Sequence, residues 1–189
     1  MRKKSKAKKR QVEEHSHLTI SVEKYEASVS LRINHYAYEP QYAWQSTDEE
    51  PVYELSNDLL VSGSILEPAD RAGDRCVITL YGADTSVRDL DAKLEDIAEV
   101  DENRVPRFRT YRGREVPIYR PPRGLGLIDK ARGEPEWRTS LFVKPCLVDR
   151  WQTLLGSSRK LFISLHECKA GRKRWVRGIE LMTQNPDEQ

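Results

Sequence analysis

Apolar and polar residues alternate in short runs along most of the chain, the period of a half-buried β-strand. Leu18, Ile20 and Val22 alternate with polar neighbours, and Val29, Leu31 and Ile33 do the same against Ser28, Ser30, Arg32 and Asn34. Leu59–Leu66 and Arg75–Tyr81 read as the arms of a long hairpin, with Glu67–Asp74 and its Gly73 as the connection. Leu125–Ile128 and Arg138–Val143 are further strands. Lys160–Glu167 and Arg174–Thr183 form a second hairpin around Lys169–Lys173.

The period changes twice. Val87, Leu90, Leu94 and Ile97 recur at three- and four-residue steps, which predicts an amphipathic helix over about 86–99 with an acidic outer face. Pro145 suits a first helical turn, and Leu147, Val148, Trp151, Leu154 and Leu155 share one helical face. Gly156 stands where a C-terminal glycine belongs.

These elements predict an α+β, mainly antiparallel β protein, a β-sandwich or partly open barrel with two amphipathic helices. Residues 1–15 form a disordered basic tail, 16–184 a single mostly-β domain with a candidate boundary near 101–104, and 185–189 a frayed C-terminus.

Charge sharpens this picture. The net charge of +2 conceals seven cations within the first ten residues: Arg2, Lys3, Lys4, Lys6, Lys8, Lys9 and Arg10. Without them 25 basic residues face 30 acidic ones, so the body stands at −5. A polyanion is therefore drawn to the tail or to a locally basic face. Segment 104–123 is one such stretch: seven arginines, among them Arg107, Arg109 and Arg112, interleave with Phe108, Tyr111 and Tyr119. Guanidinium forks suit phosphates and aromatic rings stack on unpaired bases. The preceding 84–102 is as acidic as this stretch is basic, so the two segments satisfying each other, for example Asp96 or Glu99 with Arg104 or Arg107, is the competing reading. The loop Lys169–Arg177 is also basic, and reads as a solvated hairpin tip or a groove probe.

Candidate chemistry is sparse. No nucleophile elbow, Walker lysine or complete glycine-rich phosphate loop occurs, so no catalytic residue and no cofactor is indicated. His166 and Cys168 share a strand face, but His15 and His17 fall at the end of the tail, leaving only distant Cys146 or His35 as further ligands; no metal is expected. Three scattered cysteines form no disulfide framework and point to a reducing compartment, most simply the cytoplasm, or the nucleus in a eukaryote. No apolar run is long enough to span a membrane, and none follows the basic N-terminus as a secretory signal requires.

Tyr36, Tyr38, Tyr42 and Trp44 crowd a proline-bounded loop and suit a protein interface or a lid on the core. Three functions follow. The first is a non-enzymatic binding module that contacts a polyanion, nucleic acid without sequence preference, through the basic N-terminal tail and secondarily the arginine segment. The second is a protein–protein assembly component using the aromatic loop 36–44. The third is a hydrolase or metalloenzyme of unrecognised type.

Overall fold

In the computed structural model the described residues are 13–33, 53–82, 90, 93–120, 124–130, 133, 135–157 and 159–185. The expected tail cations at 2–10, the aromatic loop 36–44 and His35 lie outside them.

The chain runs β1 (Glu14–Ile33), β2 (Tyr53–Glu67), β3 (Arg75–Gly82), β4 (Phe108–Tyr111), β5 (Arg114–Pro117), β6 (Gly126–Lys130), β7 (Glu136–Val143), α1 (Pro145–Leu155), β8 (Phe162–Ala170) and β9 (Lys173–Met182). Seven strands close in the order β1-β2-β3-β7-β6-β9-β8, with β8 paired back to β1. Every neighbouring pair is antiparallel except β3 with β7. The expected sandwich or partly open barrel is thus a closed, mixed barrel. Closure follows from the length of β1, whose first part pairs with β8 over Glu14–Ser21 and whose remainder pairs with β2 as far as Ile33. Both edges of the sheet are thereby consumed by one strand.

Alternation along each strand fills the barrel. On β3 Cys76, Ile78 and Leu80 point inward, and on β7 Trp137, Thr139, Leu141 and Val143 do so. Leu18, Ile20, Leu59, Val61, Ile163 and Leu165 complete the centre, each contributing about 1.5–3 kcal/mol by leaving water.

Helix α1 matches the helix expected after Pro145. Val148, Trp151 and Leu155 are buried, with Trp151 only 4% exposed, whereas Leu154 faces solvent. The helix packs on the ends of β2 and β3. A Cβ at Gly82 would lie 2.8 Å from the Asn57 carbonyl and 3.0 Å from Val148, so glycine is what lets the helix approach. Asn57 donates to Asp149 at 2.6 Å and accepts from Gln152 at 3.0 Å, which fixes the helix to β2.

The other expected helix is not found among the described residues. Only Leu94–Ile97 is helical, as one 3₁₀ turn, with Leu94 exposed. Two competing interactions explain this. The Asp96 carboxylate accepts the Lys93 amide at 2.7 Å, starting a turn in the middle of the apolar periodicity. Beyond Ile97 the chain extends, because Ala98 and Val100 form bridges with Tyr119 and Pro106.

A parallel pair needs a long connection. Between β3 and β7 the chain leaves the barrel, forms the separate two-stranded sheet β4–β5, and re-enters as β6. That excursion carries the arginine-rich segment.

Candidate nucleic-acid interface

The hairpin β4–β5 is built around a two-residue turn. Tyr111 pairs with Arg114, and Arg112 and Gly113 between them both have positive φ, at 50° and 75°. Two successive left-handed residues make the turn whose twist matches paired strands. Arg109 lies opposite Val116, and the Ile118 amide donates to the Arg107 carbonyl at 2.8 Å, extending the same pairing.

Side chains directly opposite each other share a face, and alternate residues along a strand do too. One face of the hairpin therefore carries Arg107, Arg109, Tyr111 and Arg114, while its acid, Glu115, sits on the other face beside Thr110. These four side chains are exposed, while Val116, which shares the face, is half-buried. The Arg112 guanidinium lies 5.4 Å from the centre of the Tyr111 ring, which is itself 55% exposed. The face thus offers three cations around an aromatic platform, with a fourth cation at the turn.

The acidic and basic segments do touch, but through the main chain. Glu99 donates its amide to Ile118 and accepts from the Arg107 amide, each at 2.7 Å, and Arg120 donates to Ile97 at 2.8 Å. Asp101 turns its carboxylate onto the amides of Asn103 and Val105, both at 2.9 Å, and Arg104 adopts φ 63° in the resulting bend. Among the described residues no ion pair joins Arg104, Arg107, Arg109, Arg112, Arg114 or Arg120 to an acid. Expected pairs such as Asp96 or Glu99 with Arg104 or Arg107 do not form; main-chain pairing has taken the contact and left the side chains facing water.

The other basic hairpin, β8–β9, differs in that three of its cations have acidic partners, while Arg172 and Lys173 at its tip are exposed. Arg174 binds Glu167 at 2.7 Å, Lys169 binds Glu14 at 3.1 Å, and Arg177 lies 3.7 Å from Glu13. Glu167 is 1% exposed inside the barrel, and its Oε1 also accepts from Arg71 at 2.8 Å and Ser16 at 2.7 Å. Burial pushes the Glu167 carboxyl upward, but the bonds from Arg71 and Ser16 and the charges of Arg71 and Arg174 outweigh it and hold the group below the usual glutamate range. Arg71 stacks 4.5 Å above Trp137, whose indole donates to Asp74 at 3.0 Å. This cluster plugs the barrel end remote from α1, so the solvated-tip reading of Lys169–Arg177 is corrected for Arg174.

The histidines also differ from expectation. β1 begins at Glu14, four residues before the alternation at Leu18, so His15 and His17 stand on a strand. They lie directly opposite Cys168 and His166. His17 stacks on His166 at 4.8 Å between ring centres, and His15 Nδ1 lies 3.1 Å from His166 Nε2. Burial, then the charges of His17, His15 and Arg177, hold His166 below the ordinary histidine pKa. Strand pairing with β8, which sequence spacing did not reveal, supplies the scaffold that His15 and His17 were expected to lack.

Comparison with known proteins found no match: no family model, no curated protein and no solved structure corresponds to the chain. Among the described residues no helix is long and apolar enough to cross a membrane.

Proposed function

We propose that the protein is a binding module for nucleic acid, contacting it without sequence preference through the hairpin β4–β5 and the tail cations Arg2, Lys3, Lys4, Lys6, Lys8, Lys9 and Arg10. The observation that carries this reading is the exposed set Arg107, Arg109, Tyr111 and Arg114, whose arginines form no ion pair among the described residues. Guanidinium groups neutralise phosphates, and an exposed tyrosine accepts an unpaired base by stacking, worth about 1–3 kcal/mol per base. Single strands are therefore preferred over duplex. The test is binding of labelled single-stranded and duplex oligonucleotides by the full chain, by a chain lacking residues 2–10, and by Arg107→Gln/Arg109→Gln/Arg114→Gln. Each change weakens binding, and Tyr111→Ala reduces the single-strand preference. Equal affinity of the full chain and the triple variant contradicts the hairpin's role.

A second reading, assembly through a protein contact, is favoured by one observation. Beyond the barrel, β1 and β2 continue as a two-stranded arm on which Val29, Leu31 and Ile33 lie beside Leu55 and Tyr53 on one face. All five are exposed, Leu31 to 69%. The arm continues the inward-facing stripe of Leu59 and Val61 out of the barrel, so it is an apolar surface suited to a second copy of the chain. Light scattering of the purified protein decides it: a dimer that Leu31→Lys converts to monomer supports this reading, and a monomer at every concentration removes it.

A further inference from the structure

The outer face of the β1–β8 pair gathers donor atoms of three chemical kinds. One donor atom each from Glu13, His15 and Cys168 lies within 4.8 Å of the other two. Strand pairing produces this: His15 stands opposite Cys168, and Glu13 immediately precedes the strand. We propose that Glu13, His15 and Cys168 form a binding site for one divalent transition ion of the zinc type, with His166 as a positioning residue.

Thiolate sulfur, imidazole nitrogen and carboxylate oxygen together are the donor set of a borderline ion such as Zn²⁺ or Co²⁺. Tetrahedral coordination at ordinary bond lengths places donors about 3.5 Å apart. The donors stand up to 4.8 Å apart, so the exposed Glu13 and His15 side chains must move inward when the ion binds. Three protein donors leave a fourth position open to water or another ligand. Cys168 is fully buried while His15 and Glu13 are exposed, so the ion enters from the solvent side and comes to rest on the sulfur.

The surroundings of His15 resemble those of a metal-bound histidine. Its Nε2 lies 3.7 Å from Glu13, and its Nδ1 lies 3.1 Å from His166 Nε2. With the ion on Nε2, the Nδ1–H donates to His166, which fixes the tautomer and the ring plane. The stacked His17 ring in turn holds His166. Arg177, 3.7 Å from Glu13, competes for the same carboxylate and is the group the ion must displace. On binding, the Cys168 thiol gives its proton to the buffer, the sulfur donates its electron pair to the ion, and bound waters leave; nothing is oxidised or reduced.

The other two cysteines provide the controls. Cys146 is exposed at the start of α1. Cys76 is inside the barrel, where burial and then the charge of Glu136 push its thiol up to about 12.

The test is titration of the full, reduced chain with Co²⁺, followed by displacement with Zn²⁺. A thiolate-to-cobalt charge-transfer band is expected to saturate at one equivalent. Cys168→Ser abolishes the band and Cys146→Ser leaves it unchanged. His15→Gln, at an exposed position that the fold tolerates, weakens affinity at least about tenfold, and His166→Ala weakens it about 10–100-fold, as loss of an orienting partner does. The inference is overturned by absence of the band in the full chain, by a band that survives Cys168→Ser, or by unchanged affinity in both histidine variants.

Discussion

The protein places arginine in two opposite settings. At one end of the barrel Arg71 and Arg174 converge on Glu167 beside Trp137, with Arg71 and Glu167 buried and Arg174 half-buried. On the hairpin β4–β5 Arg107, Arg109 and Arg114 stand exposed, with no ion pair to an acid among the described residues. The barrel is built from residues that are almost completely buried, whereas no described residue between 93 and 120 is buried. The first cluster is part of the fold, and its charges are spent on each other. The second adds little to stability, which leaves its charges available to a partner. Breaking each cluster separately therefore produces contrasting effects.

The largest effect is expected at the barrel end. Glu167→Ala strands Arg71 without its carboxylate and should cost about 3–5 kcal/mol in urea denaturation. Trp151→Ala, at the α1 end, should cost a similar amount, about 3–5 kcal/mol, by opening a cavity. If either variant melts like the parent, the corresponding end of the barrel is not held as described.

Acid titration sharpens the same contrast. Because the folded Glu167 carboxyl is held below the usual glutamate range, the stability it supplies is complete above that range and is lost as pH falls through it towards the folded value. The difference in Tm between the parent and Glu167→Gln should thus be largest near neutrality and shrink on acidification. A difference that grows as pH falls would mean the carboxylate is not the stabilised form.

A smaller, local effect is expected at the hairpin turn. Gly113→Ala places a side chain at φ 75°, costing the hairpin about 1 kcal/mol. Since the hairpin is outside the barrel pairing, amide exchange should quicken in 108–117 while the global Tm stays put. A fall in global Tm would show that hairpin and barrel unfold together.

The smallest effect is the stability change of Arg107→Gln, Arg109→Gln and Arg114→Gln, each within about 0.5 kcal/mol, because exposed residues without partners hold nothing together. A larger loss would reveal an ion pair at that position.

Much of the barrel was legible because its strands alternate strictly. Leu59–Leu66 and Arg75–Tyr81 fall within β2 and β3, and the turn glycines Gly73 and Gly171 both have positive φ. Helix α1 was legible from Pro145, Gly156 and the face of Val148, Trp151 and Leu155. Closure was not, because it depends on β1 pairing with β8, 151 residues away for His15 and His166, and no local period encodes that. The same hidden pairing concealed the gathering of His15, His17, His166 and Cys168. The helix expected at 86–99 failed over its described part because Asp96 caps Lys93 and strand pairing captured Ala98 and Val100. At 104–123 composition gave the charge but not its fate. The signal that could have located the hairpin is the alternation of Arg107, Arg109 and Tyr111 up to Gly113, resumed by Arg114, Val116 and Ile118. In the β8–β9 hairpin an equally basic composition ends in internal ion pairs.

The hairpin arginines are proposed to neutralise phosphates. The most direct measurement is a salt titration of single-strand binding by the chain lacking residues 2–10, so that tail charges do not contribute. The three face arginines, each releasing a counterion, contribute about −2 to the slope of log K against log salt, and Arg112 at the turn about −0.7 more, at about −0.7 per phosphate on single strands. With Arg107→Gln, Arg109→Gln and Arg114→Gln combined, that slope should shrink by about 2, leaving the share of Arg112. A slope unchanged by the three substitutions, or no binding by the tail-less chain at low salt, would contradict the claim.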